Sequence, residues 1–253
     1  MVERSPANTL IVAGNRGIGL GFVDSLLGDP AIARVFATFR HPETAIDLRD
    51  RERRSEGKLF CLPLDATDEA QIRTTVAEIG ATCDRLHLVV NCAGILHDAE
   101  LRPEKSLRQL DAEHLSRYFA INSIPTALLA KHLLPLLTHD ERSVLATISA
   151  KLGSIGDNHL GGWYGYRASK AALNMFVRTI ANEYRRKSPQ AIVVALHPGT
   201  TNTRLSQPFQ KNVPPEKLFP IEQTVAQLRT VIDGLDTHCS GEFYSWDGSR
   251  LPW

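Results

Sequence analysis

The sequence has few cysteines, and they are not clustered. Only four of the 253 residues are cysteine, and they form no CxxC pair and meet no histidine cluster at the spacing of a zinc site. This pattern argues against a disulfide framework and against a bound metal. We expect reduced, buried thiols in a reducing compartment, and the four residues concerned are Cys61, Cys83, Cys92 and Cys239.

The sequence also lacks an excess of one charge and a long apolar run. Its formal net charge is +1, which gives no reason to expect a nucleic acid or an anionic membrane as partner. Residues 1–9 have no apolar core of a signal peptide. The most apolar stretch, Ile124–Leu137, is interrupted by Lys131 and His132 and is too short to span a bilayer. We therefore expect a cytoplasmic protein with no membrane partner.

What the sequence does contain is a regular alternation of short apolar runs with stretches of helical period. The apolar runs are residues 9–13, 35–39, 59–64, 86–90, 144–148, 192–196 and 242–246. The helical stretches include residues 18–27, 69–79, 115–137 and 168–186. Runs that are apolar throughout are typical of strands covered on both faces. The pattern predicts an α/β fold over residues 1–253, a single Rossmann-type doubly wound parallel sheet of about seven strands with helices on both faces.

One segment is rich in turn residues, and it follows the sixth predicted strand. Residues 206–220 contain Pro208, Pro214 and Pro215 and end at Pro220. Ligands of open α/β sheets bind beyond the carboxyl ends of the strands, where this segment lies. We interpret it as a candidate substrate lid.

A glycine-rich turn follows the first predicted strand and leads into a helix. Glycines here allow a sharp turn and a close approach of the backbone to a pyrophosphate. The spacing is not GxGxxG, because Phe22 stands where the last glycine would fall when counting from Gly17, so a plain strand–helix turn is the alternative. The predicted cofactor-binding residues of this turn are Gly14, Asn15, Arg16, Gly17, Ile18 and Gly19.

The charges near this turn favour NADP(H) over NAD(H). The second strand ends without a carboxylate before Glu43, whereas NAD enzymes usually place an acidic residue there to hold the ribose 2′-hydroxyl. Arg40 at that strand end and Arg16 in the turn would grip a 2′-phosphate through charge-assisted hydrogen bonds. The alternative is that both are solvated surface arginines.

The most specific pattern is YxxxK, formed by Tyr166 and Lys170 with Ser169 before the lysine. Side chains four positions apart project from one face of a helix, so the ammonium is expected near the phenol. An unperturbed phenol has a pKa of about 10, and a nearby cation lowers it towards the range useful for acid–base chemistry. The pattern also follows NCAG at residues 91–94 and lies between the fifth and sixth strands, which makes chance a poor explanation.

Together these motifs resemble the short-chain dehydrogenase/reductase family over nearly the whole chain. The family motif TGxxxGxG aligns with Val12 and Ala13 in place of the threonine and first glycine. The NCAG segment is similar to the family's NNAG, with Cys92 replacing the second asparagine. The NRGIGLG turn and the WDG and LPW sequences at residues 246–253 resemble the C-factor-like and carbonyl-reductase-like group.

The resemblance implies specific roles. Tyr166 would exchange a proton with the substrate oxygen, Lys170 would lower its pKa and hold the nicotinamide ribose, and Asn122 would support the lysine through a water. The usual catalytic serine position holds Ala150, so the candidate is Ser149, with help from Ser154 or with tyrosine acting alone as alternatives. The resemblance assigns further cofactor contacts to Asp65, Ala66, Asn91, Ala93, Gly94, Tyr166, Lys170, Pro198, Gly199, Thr200 and Thr203.

The leading hypothesis is an NADP(H)-dependent carbonyl reductase acting on a small carbonyl or alcohol without a metal. A dinucleotide-binding signalling or sensor protein is the main alternative, because of Ala150 and the C-factor resemblance. An epimerase or dehydratase is less suited, since only about 50 residues follow Pro198 and those relatives add a C-terminal substrate domain. The apolar face of residues 115–137 fits a homodimer or homotetramer contact as well as packing on the chain's own sheet.

Overall fold

The computed structural model describes residues 6–253. Residues 1–5, which belong to the segment predicted to contain no signal peptide, lie outside the described residues. Seven strands form one parallel sheet, and each coincides with a predicted apolar run, with its ends shifted by a few residues. The strands are β1 (Ala7–Val12), β2 (Ile32–Phe39), β3 (Leu59–Pro63), β4 (Leu88–Asn91), β5 (Ser143–Ile148), β6 (Ala191–His197) and β9 (Phe243–Ser245). Their order across the sheet is β3-β2-β1-β4-β5-β6-β9.

Helices cover both faces of this sheet. They are α1 (Gly17–Leu27), α2 (Ile46–Arg54), α3 (Glu69–Thr82), α4 (Ala112–Asn122), α5 (Ile124–Leu137), α6 (Tyr164–Lys187) and α7 (Ile221–Asp233). Alternate strand residues are buried on opposite sides: in β1, Leu10 and Val12 join the core under α3, α5 and α6, whereas Ile11 joins the core under α1, α2 and α7. The predicted doubly wound α/β fold is confirmed.

The single helix predicted over residues 115–137 is wrong, since α4 and α5 are separated at Ser123. Pro125 has no N–H to continue the α4 hydrogen-bond ladder, and its ring disfavours a continuous helix. The Ser123 hydroxyl donates instead to the carbonyl of Ser169 on α6, at 2.7 Å. By length and hydropathy Ala112–Leu137 passes as a membrane span, but half of its apolar window is buried inside the protein, as in core helices of soluble proteins.

The sheet reverses its strand order at β1, which lies between β2 and β4. In doubly wound folds the ligand crevice opens at such a switch point, beyond the carboxyl ends of the strands. The glycine turn after β1, Arg40 after β2 and the NCAG segment after β4 all follow strand ends at this edge.

The predicted lid is anchored at both ends by a small second sheet. Strand β7 (Thr200–Thr201) pairs in parallel with β8 (Leu218–Phe219). Residues 206–220 are not an open loop: they contain two short 3₁₀ turns, Gln207–Asn212 and Pro215–Lys217, followed by β8. The lid is therefore compact, and its base is fixed next to the end of β6.

The four cysteines are free thiols, as expected, but only Cys61 and Cys83 are fully buried. Cys92 and Cys239 are half-buried, which corrects the expectation that all four are buried. Cys92 follows β4 at the edge where the crevice opens, and Cys239 lies in the turn before β9, so neither is enclosed by the helix layers.

Candidate active site

The glycine turn after β1 is held by a residue that the sequence motif did not indicate. Ala13, at the family's first glycine position, has a left-handed φ of 58°, which costs a non-glycine residue about 1–2 kcal/mol. Its N–H donates to the Thr38 hydroxyl at 3.0 Å, and the N–H of Gly14 donates to the Thr38 carbonyl at 2.8 Å. Thr38 on β2 thus braces the turn in place of the missing motif threonine.

The remaining turn residues hold a tight backbone conformation that requires glycine at two positions. Gly17 has a φ of 53°. A Cβ on Gly19 would lie 2.2 Å from the carbonyl oxygen of Ala13, so only glycine fits this close approach. Asn15 donates to the backbone carbonyl and the hydroxyl of Thr44, both at 3.1 Å, which ties the turn to the loop after β2.

The two arginines predicted to select the cofactor lie near one another and have no acidic partner. Arg16 and Arg40 are both exposed, and Arg40 donates only to His41, at 2.7 Å. Burial, then the positive charges of Arg204 and Arg40, lower the pKa of Arg16. Among residues 6–253 no carboxylate lies within ion-pair distance of Arg16 or Arg40, so their charges remain available to an anion.

At the end of β3, Asp65 is half-buried and shapes its own turn. Its Oδ1 accepts from the N–H and the hydroxyl of Thr67, at 2.9 and 2.7 Å. Ala66 follows in the same turn, also half-buried. The structure therefore places both residues at the crevice edge, two strands away from the glycine turn.

The segment after β4 meets the catalytic helix. Asn91 accepts from the N–H of Ala93 at 3.1 Å and donates to Thr126 at 3.3 Å. A Cβ on Gly94 would lie 3.5 Å from both the Asn122 Oδ1 and the Lys170 Nζ. Burial raises the pKa of the Cys92 thiol to about 12, which agrees with a structural thiol and not a nucleophile.

Tyr166 and Lys170 lie buried one turn apart on α6, as the motif predicts, with 6% and 3% of their surface exposed. The Lys170 ammonium donates to the Ile148 carbonyl at 2.9 Å and lies 6.0 Å from the centre of the tyrosine ring. Burial lowers the pKa of Lys170 to about 8. Burial also raises the pKa of Tyr166 above its ordinary value. Burial therefore opposes the lowering of the tyrosine pKa that is expected from the lysine.

Asn122 sits at the end of α4 and locks the loop after β4 to α6. Its Oδ1 accepts from the N–H of Ile95 at 2.7 Å, and its Nδ2 donates to the Ile95 carbonyl and the Ser169 hydroxyl, each at 3.0 Å. The predicted trio of Tyr166, Lys170 and Asn122 is thus brought together.

Ser149 is not brought to the tyrosine. Its hydroxyl donates to the Asn174 Oδ1 at 2.7 Å, on α6 one turn beyond Lys170. Ala150 instead shares a buried apolar cluster with Tyr166. Because successive strand residues point to opposite sides, the residue that faces the tyrosine at this strand end is the alanine. The Ser154 hydroxyl accepts from the N–H of Asp157 at 3.1 Å.

The segment after β6 closes the other side of the crevice. Pro198 is buried, and Gly199 has a φ of 70° and would clash with Phe219 at 2.7 Å if it carried a Cβ. Thr200 begins β7. The Thr203 methyl lies 3.5 Å from the Cβ position of Gly17, so this segment reaches the glycine turn.

His197 lies at the end of β6, and burial lowers its pKa to about 4. Trp163, just before α6, lies 6.3 Å from Tyr166 and 4.8 Å from Phe209 of the lid, between ring centres. His159 is exposed on the preceding loop and has no such contact.

Glu104 is a site residue that sequence reasoning missed. It is 3% exposed, and its Oε2 accepts from the N–H of Gly165 at 3.2 Å, while its carbonyl accepts from the N–H of Trp163 at 2.5 Å. Trp163 precedes α6 in a left-handed conformation, with a φ of 52°, and offers no side-chain cap. Glu104 therefore fixes the start of the helix that carries Tyr166. The absence of a capping residue before Tyr164 was the available signal.

Replacing Glu104 by alanine is expected to lower the free energy of unfolding by about 1–3 kcal/mol, because the buried N–H of Gly165 loses its acceptor. Glu104→Gln, which keeps an acceptor oxygen, is expected to lose less. Denaturant unfolding of both variants measures the difference. Equal losses would show that the carboxylate charge, and not this hydrogen bond, is what matters.

Comparison with known proteins agrees with this geometry. The family model for short chain dehydrogenases matches residues 7–214. The C-signal protein of Myxococcus xanthus is 34% identical over 149 residues, 58% of this chain and 84% of that protein. Carbonyl reductase from chicken fatty liver, solved with NADPH bound, is 30% identical over 99% of this chain and 100% of that chain, with a TM-score of 0.87.

The carbonyl reductase Sniffer of D. melanogaster is 25% identical over 99% of this chain and 100% of that chain, with a TM-score of 0.86. The C-factor-like and carbonyl-reductase-like resemblance of the sequence is confirmed by these similarities. The chain belongs to the short chain dehydrogenase family of NAD(P)-dependent oxidoreductases.

Proposed function

We propose that this protein is an NADP(H)-dependent reductase that transfers a hydride between nicotinamide and a carbonyl or secondary alcohol. The observation that carries the proposal is the buried trio of Tyr166, Lys170 and Asn122 at the switch point of the sheet. A phenol and an ammonium brought together at a ligand crevice supply the proton that accompanies hydride transfer.

The residues at the crevice edge fit a phosphorylated dinucleotide. The glycine turn leads into the N-terminus of α1, where backbone N–H groups favour a phosphate, and Gly94 lies beside the Lys170 ammonium. Arg16 and Arg40, which lack acidic partners among residues 6–253, support binding of a 2′-phosphate. Asp65, Asn91 and the backbone of residues 198–203 are proposed to hold the adenine and nicotinamide ends. The NADPH-bound carbonyl reductase among the similar structures supports the same choice.

The Tyr166 phenol is proposed to donate its proton to a carbonyl oxygen, and burial raises its pKa further above the ordinary value. The cofactor, when bound, supplies the hydride. Lys170, with its pKa near 8, is positioned to stabilise the phenolate that forms, and Asn122 holds the loop against it. No serine hydroxyl is in place at Ala150, so Tyr166 is proposed to act on the substrate oxygen alone.

The substrate is proposed to be a small carbonyl compound or alcohol that enters between Trp163 and the lid. Four free cysteines support action in a reducing, cytoplasmic setting. A sensor or signalling role remains the second candidate, favoured by Ala150 in place of the usual serine and by the similarity to the C-signal protein.

The test is oxidation of NADPH, with NADH in parallel, against a panel of aldehydes, ketones and quinones. Turnover with NADPH that exceeds turnover with NADH would support the reductase. Tight NADPH binding without turnover on any panel member would favour the sensor. Preference for NADH would contradict the role given to Arg16 and Arg40.

A further inference from the structure

A third arginine, Arg204, lies beside the two that were predicted to select the cofactor. It lies just before the lid, between β7 and residue 206, whereas Arg16 comes from the glycine turn and Arg40 from the loop after β2. Its charge depresses the pKa of Arg16 more than the charge of Arg40 does. Arg204 is exposed and, within residues 6–253, has neither an ion pair nor a side-chain hydrogen bond. Three cations thus converge without an acid, an arrangement that a phosphorylated ligand would stabilise.

The backbone around Arg204 is fixed against the glycine turn. The neighbouring Thr203 packs its methyl 3.5 Å from the Cβ position of Gly17. His97, from the loop after β4, lies with its Nε2 3.3 Å from the Arg204 carbonyl and 3.1 Å from the Leu205 carbonyl. The Ser206 hydroxyl accepts from the Thr203 N–H at 3.2 Å. These contacts hold the base of the lid over the middle of the turn.

The middle of such a turn is where a dinucleotide places its pyrophosphate, next to the N-terminus of the following helix. The 2′-phosphate lies further out, towards the end of β2 and Arg40. We propose that Arg204 binds the cofactor's pyrophosphate, so that the lid contributes a cation to the dinucleotide site. This inference rests on the proposed function, because it requires a dinucleotide in the crevice.

A cation at the base of the lid that binds the pyrophosphate would tie the lid to the cofactor. Phe209, five residues beyond Arg204, has its ring centre 4.8 Å from that of Trp163, which in turn lies near Tyr166, so the lid joins the phosphate contact to the substrate side. Bound dinucleotide would fix the lid before a carbonyl compound arrives. We therefore expect the cofactor to bind before the substrate.

The experiment measures dissociation constants for NADPH and NADH by fluorescence titration of wild type, Arg204→Gln and Arg40→Gln. Loss of a charge-assisted hydrogen bond to the pyrophosphate is expected to weaken both nucleotides about tenfold or more in Arg204→Gln. Arg40→Gln is the matched control, because it is expected to weaken NADPH and leave NADH unchanged. An Arg204→Gln effect on NADPH alone, or on neither nucleotide, would overturn the pyrophosphate assignment.

Limited trypsin digestion gives a second readout that does not depend on activity. Lys211 and Lys217 are exposed cleavage sites inside the lid. Saturating NADPH or NADH is expected to protect both sites in wild type and to protect them much less in Arg204→Gln at equal occupancy. Equal protection in both proteins would contradict the inference. If wild type binds neither nucleotide, the proposed function itself fails; if it binds both and Arg204→Gln binds equally well, only the lid contact fails.

Discussion

Replacing Tyr166 by phenylalanine is expected to lower kcat for NADPH-dependent carbonyl reduction by about 10²–10⁴-fold, the usual contribution of a positioned general acid. The substitution removes one hydroxyl and leaves the ring contacts with Tyr118 and Trp163 in place. Burial keeps this phenol protonated, so the variant loses the proton donor itself. Initial-rate assays with the best substrate of the panel measure the effect.

The matched control is Tyr164→Phe, which removes a phenol hydroxyl two residues earlier on the same helix. Tyr164 is half-buried and makes no side-chain hydrogen bond that the described residues record. Its rate is expected to stay within a factor of about two of wild type. NADPH affinity is expected to survive in both variants. A Tyr166→Phe enzyme that retains wild-type turnover would rule out Tyr166 as the acid.

Introducing a serine at Ala150 is expected to raise kcat by up to about 10²-fold, the value of one added donor to a developing oxyanion. Ala150 packs in the same buried cluster as Tyr166, at the end of β5. A hydroxyl there would face the substrate oxygen, which the Ser149 hydroxyl does not reach because it donates to Asn174. Turnover of Ala150→Ser against wild type on the same substrate measures the gain.

Ser149→Ala distinguishes the two serine positions. If the hydroxyl serves only the hydrogen bond to Asn174, its removal is expected to cost about 1 kcal/mol of unfolding free energy and little of kcat. A large fall in kcat at unchanged stability would instead assign catalysis to Ser149. In that case Ala150→Ser would give no gain in kcat, and Ser149, the serine predicted from the sequence, would again be the catalytic candidate.

Much of the fold follows from local pattern. The seven apolar runs predicted the seven strands because a parallel strand covered on both faces must be apolar along its length. The break between α4 and α5 was missed because the helical period continues through Ser123, although Pro125 signalled it. The two-residue strands β7 and β8 were missed because a pair so short has no pattern of its own.

The site was predictable where its residues are neighbours in sequence. Tyr166 and Lys170 are one helical turn apart, so their spacing alone placed them together. The hydroxyl of Thr38 and the carboxylate of Glu104 form contacts across distances in sequence that no motif spans, and Arg204 is brought beside Arg16 in the same way. The direction in which Ser149 points depends on strand alternation relative to α6, which only the fold establishes.

The last strand of the sheet, β9, also affects how the chain behaves while it is being synthesised. Strand β9 is only three residues long, yet among residues 6–253 it is the sole partner on the outer side of β6. Without it, the sequence AIVVALH of β6 would present an unpaired apolar edge, the kind that templates pairing between molecules. During synthesis that edge stays open until β9 emerges. Chains interrupted before β9 are therefore expected to be prone to aggregate, even though the proposed catalytic residues have already been made.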